Sequence, residues 1–182
     1  IVFMGNSITE GWIKWRPEFF EGKPYVNRGI SGQTTPQMLL RFRQDVIDLK
    51  PSVVVILAGI NDIAGNTGPS TIEIIMGNLK SMAELASSNH IKVVFCSVLP
   101  AKDFPWRPGL EPAEKVIKLN ALLQSYVRQY NLVYVDYFSA MVNNENGLSE
   151  DLAYDGVHPT TLGYSVMEPL VEAGIAKALM KK

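Results

Sequence analysis

Asp155 and His158 stand three residues apart near the end of the sequence, in Asp155-Gly156-Val157-His158-Pro159. At that spacing a carboxylate can hold an imidazole in one tautomer and stabilise its protonated form, which is what a general base requires. Pro159 disfavours helical backbone at the histidine, so the pair is predicted on a loop or turn. An Asp and a His on a solvated loop is the competing reading, and residues elsewhere must decide between them. A serine hydroxyl is a weak nucleophile until a base takes its proton. Ser7, in Gly5-Asn6-Ser7-Ile8-Thr9, directly follows the first apolar run and is the candidate partner. The other histidine, His90, precedes an apolar run, which puts it at the opposite end of a parallel sheet as a surface residue.

Attack on an ester carbonyl places negative charge on oxygen, and donors fixed in advance around it are usually the largest catalytic contribution. Three candidates follow successive apolar runs. The Ser7 amide is expected at a strand-to-helix turn. The Gly32 amide, in Gly29-Ile30-Ser31-Gly32-Gln33-Thr34, is open to close approach because glycine lacks a Cβ. The Asn61 carboxamide, in Gly59-Ile60-Asn61-Asp62, is the third. Taken singly, Ser7 also reads as a helix cap, Gly32 as a turn glycine, and Asn61 with Asp62 as ordinary loop residues. Their joint order, with Asp155 and His158 after them, matches the parts of an acyl-transfer site.

These residues meet only if the apolar runs form one parallel sheet, in which ligands bind beyond the carboxyl ends of the strands. Five strands are predicted, Ile1–Met4, Tyr25–Ile30, Val53–Ala58, Ile91–Val98 and Leu132–Asp136, alternating with stretches of helical period. Thr35 and Pro36 are expected to open a helix with Leu39, Phe42, Val46 and Leu49 inward, stopped by Pro51. The next two helices present Ile72, Ile75, Leu79, Met82 and Ala86, then Val116, Leu119, Leu123, Tyr126 and Tyr130. The last starts near Thr160 or Thr161, with Tyr164, Met167, Val171, Ile175 and Ala178 inward and a kink expected at Pro169. The fold class is α/β: a three-layer α/β/α, flavodoxin-like sandwich around a five-stranded parallel sheet, in one domain spanning residues 1–182.

Composition removes several classes. One cysteine, Cys96, lies in an apolar run and rules out an intramolecular disulfide and a multi-cysteine zinc site. A net charge of −1 without a basic stripe argues against nucleic acid. No apolar run approaches a membrane span, and no phosphate loop, dinucleotide fingerprint, His-Glu-x-x-His or Gly-x-Ser-x-Gly elbow occurs. No metal and no cofactor are expected.

With these residues in place, the sequence resembles the SGNH hydrolases, or GDSL esterase/lipase family, in their compact acylhydrolase and platelet-activating-factor acetylhydrolase-like branch. Carried over residue by residue, the resemblance implies a serine nucleophile at Ser7, an oxyanion hole from Ser7, Gly32 and Asn61, a base at His158 and an orienting carboxylate at Asp155. The family's Gly-Asp-Ser-Leu opening reads Gly-Asn-Ser-Ile here, a change that bears on local hydrogen bonding and leaves the mechanism standing. The implied activity is hydrolysis of short-chain, above all acetyl, carboxylic esters, with acetylated carbohydrate as a candidate substrate. Two other readings remain, a thioesterase or lysophospholipase for longer acyl chains and a non-catalytic carbohydrate-binding relative.

The irregular segment from Pro100 to Glu111 offers Trp106 and Arg107 as a wall or polar contact for the alcohol part of the ester, and Arg28 lies beside the glycine loop. Each has a structural reading as well, as surface packing or a paired charge. The sequence does not begin with methionine and enters a strand-like run at once, which favours a chain relieved of a leader and a periplasmic or secreted location over a cytoplasmic one.

Overall fold

Runs of Val, Ile and Phe buried on both sides form the centre of the sheet, as parallel strands covered by helices require. The computed structural model describes residues 1–181. It contains β1 (Val2–Gly5), α1 (Ser7–Trp15), α2 (Pro17–Phe20), β2 (Val26–Gly29), α3 (Thr35–Asp45) and β3 (Val53–Leu57). There follow α4 (Ile60–Ile63), α5 (Ile72–Ser88), β4 (Lys92–Cys96), α6 (Ala113–Gln129), β5 (Val133–Val135), α7 (Tyr137–Met141) and α8 (Thr161–Met180). All five predicted strands are present, β1 shifted one residue along the chain and the other four shortened within their predicted spans, and every pairing is parallel.

The strand order is β2-β1-β3-β4-β5. β1 and β3 are wholly buried, whereas β2, which carries Asn27 and Arg28, is the partly exposed edge. Helices α1 and α8 pack on one face of the sheet, and α3, α5 and α6 on the other. The order in which the chain adds strands reverses between β1 and β3, so the crevice at their carboxyl ends is the topological switch point where open α/β sheets hold ligands.

The predicted stripes of α5 and α8 are buried throughout. α8 is capped by Thr160, whose hydroxyl accepts the Gly163 N–H, and it continues through Pro169 to Met180. Three details differ from expectation. The cap of α3 is Thr34 rather than Thr35, because Gln37 reaches back to the Thr34 N–H in a capping box. That helix ends at Asp45, and a separate 3-10 turn over Ile47–Leu49 leaves Leu49 exposed. Tyr130 is likewise exposed, because it caps α6 instead of continuing its inward face.

Cys96 is fully enclosed in β4, and burial pushes its thiol up to about 12. Among the described residues no helix is long and apolar enough to cross a membrane, and no cluster of His, Cys, Asp and Glu is arranged to hold a metal ion.

Candidate active site

Ser7 is the first residue of α1, immediately beyond β1. An N–H in the first turn of a helix has no intrahelical acceptor, so the Ser7 amide points out of the helix start. Asn6 caps that helix by accepting the Ile8 N–H at 3.0 Å, while its buried Nδ2 has no partner among the described residues. An aspartate here would supply the same acceptor with no donor left over, so the Asn costs an unsatisfied N–H and keeps the cap.

The chain returns to Ser7 from 151 residues away: Ser7 Oγ and His158 Nε2 are 2.9 Å apart, and His158 Nδ1 lies 2.7 Å from Asp155 Oδ2. Asp155 also accepts the backbone N–H groups of Val157 and His158 through Oδ1, at 2.9 and 2.7 Å. Burial opposes its charge, but the hydrogen bonds from the His158 amide and imidazole and from the Val157 amide prevail and hold its carboxyl below the usual range. An ionised Asp155 accepts from Nδ1–H, which leaves Nε2 as an acceptor for the Ser7 hydroxyl. The turn is closed by the Ala153–Pro159 bridge and by Tyr154 N–H donating to the His158 carbonyl. His158 is half-buried between two rings, Trp106 at 5.8 Å and Tyr154 at 5.7 Å with near-parallel planes.

Gly32 sits in the turn after β2 at φ +76°, a conformation that favours glycine. Asn61 is buried in α4, just past β3, and donates one Nδ2 hydrogen to the Gln33 carbonyl at 2.9 Å, leaving the other free. Gly59, at φ +121°, makes the abrupt exit from β3 that sets this helix in place. Below it, the buried Asp62 accepts the Thr35 N–H at 3.1 and 3.0 Å and the Thr35 hydroxyl at 2.5 Å, and Asn78 donates to that hydroxyl at 3.0 Å. Burial raises the Asp62 carboxyl, against the pull of the Thr35 hydrogen bonds. Arg41, only 6% exposed, ties the strand end to the glycine loop, donating to the Gly5 carbonyl at 3.0 Å, the Gln33 side chain at 2.5 Å and Asp45 at 2.7 Å.

Ser7, His158 and Asp155 are thus joined in one hydrogen-bonded line, and Gly32 and Asn61 follow the carboxyl ends of β2 and β3, the two strands that flank β1. The other three candidates have different surroundings. Arg107 donates to the Ala64 and Gly65 carbonyls at 2.7 and 3.1 Å. Arg28 has Asp45 as its nearest carboxylate, at 4.0 Å. Trp106 is 45% exposed and packs against Phe104 and His158. His90 is exposed beyond the C-terminus of α5, at the far end of the sheet. Two aromatic residues that the sequence reading passed over, Trp15 and Tyr154, line a cleft with Ser7 and His158. The position of Tyr154 directly before Asp155, and that of Trp15 outside the inward stripe of α1, were the available signals. A larger cavity of about 780 Å³ borders Asp155 and Gly156 on the side of the Pro100 to Glu111 loop, with neither Ser7 nor His158 in its lining.

The GDSL-like Lipase/Acylhydrolase family matches residues 3–166. The crystal structure of a GDSL-like lipase from Bacteroides thetaiotaomicron superimposes with a TM-score of 0.95 at 50% identity, over 97% of this chain and 87% of that one. An acetylxylan esterase of Xylanibacter ruminicola is 25% identical over 96% of this chain and 42% of its own length, so the chain spans less than half of that relative. The esterase TesA of Pseudomonas aeruginosa is 27% identical over 86% of this chain and 73% of its own.

Proposed function

The chain belongs to the GDSL-like lipase/acylhydrolase family, and from that premise we propose that it is a serine esterase with a Ser-His-Asp mechanism, acting on short-chain, chiefly acetyl, esters of carbohydrates. The observation that carries this reading is the continuous line from Ser7 Oγ through the two ring nitrogens of His158 to Asp155, at 2.9 and 2.7 Å.

Ser7 Oγ attacks the ester carbonyl while His158 Nε2 takes its proton. The oxyanion is held by the Ser7 and Gly32 N–H groups and by the free Nδ2 hydrogen of Asn61. As the tetrahedral adduct collapses, the imidazolium returns the proton to the leaving alcohol, and Asp155 balances its charge throughout. A water then attacks the acyl-serine with the same base, which releases the acid and restores Ser7. The name of the acetylxylan esterase relative supports an acetylated glycan as the ester. Lining also bears on acyl length, because the cleft beside Ser7 carries Glu10, Lys14 and Ser31, polar groups that a long alkyl chain would desolvate without compensation.

Initial rates on 4-nitrophenyl esters from acetate to octanoate, with Ser7→Ala as the blank, test the proposal. Activity should be highest at acetate and fall by roughly 10⁴-fold or more in the variant, and a serine-directed phosphonate should modify Ser7 alone. Retained activity in Ser7→Ala, or labelling of another residue, would overturn the mechanism. A rate that climbs with chain length would replace the acetylesterase by a thioesterase or lysophospholipase.

A further inference from the structure

The cleft beside Ser7 has a volume of about 450 Å³ and is lined by Glu10, Lys14, Trp15, Ser31 and Tyr154 around Ser7 and His158. An acetyl group has few heavy atoms, whereas clefts of several hundred Å³ receive ligands of ring size and above. The space therefore exceeds what the acyl part of an acetyl ester can fill.

Its walls have two characters. Trp15, 44% exposed, and Tyr154, 58% exposed, have ring centroids 6.1 Å apart with planes inclined by 34°, so two aromatic surfaces face solvent side by side. Exposed pairs of large rings next to a reactive serine hold apolar area ready for a ligand. Between and beside them stand a carboxylate, an ammonium group and a hydroxyl, all on exposed residues. A pyranose ring matches both, since its C–H face packs on an aromatic ring while its hydroxyls bond to the polar groups. An alkyl chain matches only the first.

The direction of the reaction assigns the side. The leaving alcohol must lie where His158 can return a proton to it, and Tyr154 is stacked on that imidazole at 5.7 Å with planes only 14° apart. Gly32 and Asn61, the candidate oxyanion donors, do not line this cleft. We propose, resting on the esterase reading above, that Trp15 and Tyr154 form a subsite for a sugar residue on the alcohol side of the scissile ester. They are specificity-determining residues that hold the leaving group.

The experiment compares kcat/KM for O-acetylated xylotriose with kcat/KM for ethyl acetate, whose alcohol is too small to reach the rings. In Trp15→Ala and in Tyr154→Ala the ratio of the two should fall about tenfold, equal to about 1.4 kcal/mol of lost discrimination. Trp15→Phe, which keeps a ring face, should hold the ratio within threefold of wild type. An unchanged ratio in Trp15→Ala, or a change confined to the acyl-length profile on 4-nitrophenyl esters, would overturn the subsite and leave the esterase intact. Failure of the parent reading looks different: turnover of ethyl acetate would then persist in Ser7→Ala, and the subsite would fall with it.

Discussion

Asn61, just past β3, and His158, against Ser7 just past β1, are held by opposite means. The supports of Asn61 come from far along the chain and are buried: its partner Gln33 is 28 residues away, the Asp62–Thr35 pair beneath it spans 27, and Asn78 reaches Thr35 across 43. The supports of His158 come almost entirely from its own turn, with Asp155 three residues before it and the Ala153–Pro159 bridge closing the loop. The placement of Asn61 is thus a property of the whole sheet and its helices, and that of His158 is set locally on the rim. Under the proposed mechanism this arrangement holds the oxyanion donor rigidly and carries the base on a half-exposed turn.

The contrast predicts that damage to the two sides separates chemistry from stability. The largest effect is expected for Asp155→Asn, which removes the acceptor that sets the imidazole tautomer: kcat should fall roughly 10⁴-fold, while the thermal midpoint stays near that of wild type. A midpoint lowered as far as that of an oxyanion-side variant would erase the distinction. Next comes Asp62→Ala, which strands the buried Thr35 N–H and hydroxyl. Its expected cost is about 3 kcal/mol of folding stability, or roughly 10 °C in midpoint for a domain of this size, with activity lost through misplacement of Asn61. Normal stability in that variant would show that the Asp62 network is dispensable.

The smallest effect is in the pH dependence of stability, and there the two carboxylates should have opposite signs. Asp155 is held below its unfolded value near 3.9, so its contribution is complete above that pH and is lost as pH falls through the depressed folded value. Asp62 is raised by burial, so the stability it confers is complete below the unfolded value and is lost as pH rises through its folded value. Urea midpoints of Asp155→Asn and Asp62→Asn, each subtracted from wild type between pH 3 and pH 7, should therefore drift in opposite directions. Parallel drifts would contradict the assignment of the two environments.

The same division explains what could be read in advance. The strands were legible because parallel strands buried on both faces are near-continuous apolar runs, and the Asp155–His158 pair because its chemistry lies within four residues of sequence. At the start of α3 the Thr-Thr-Pro sequence allows either threonine as the cap, and the Thr34-x-x-Gln37 capping box is the signal that decides for Thr34. The Asp62–Thr35–Asn78 network and the three-way role of Arg41 left no comparable trace, since a buried hydrogen bond between distant loops has no spacing rule. Trp15 and Tyr154 each carry a positional signal of their own, but their pairing has none, since 139 residues separate them and only the fold brings their rings within 6.1 Å.

The enclosure of Cys96 in β4 has a practical side. Thiol reagents act on thiolate, and a sulfhydryl buried in the sheet with its pKa raised by that burial is a poor target for them in the folded protein. A cysteine introduced at a surface position is therefore expected to react with a fluorophore or spin label far faster than Cys96, so a reporter can be set on the rim of the crevice with the native core left untouched.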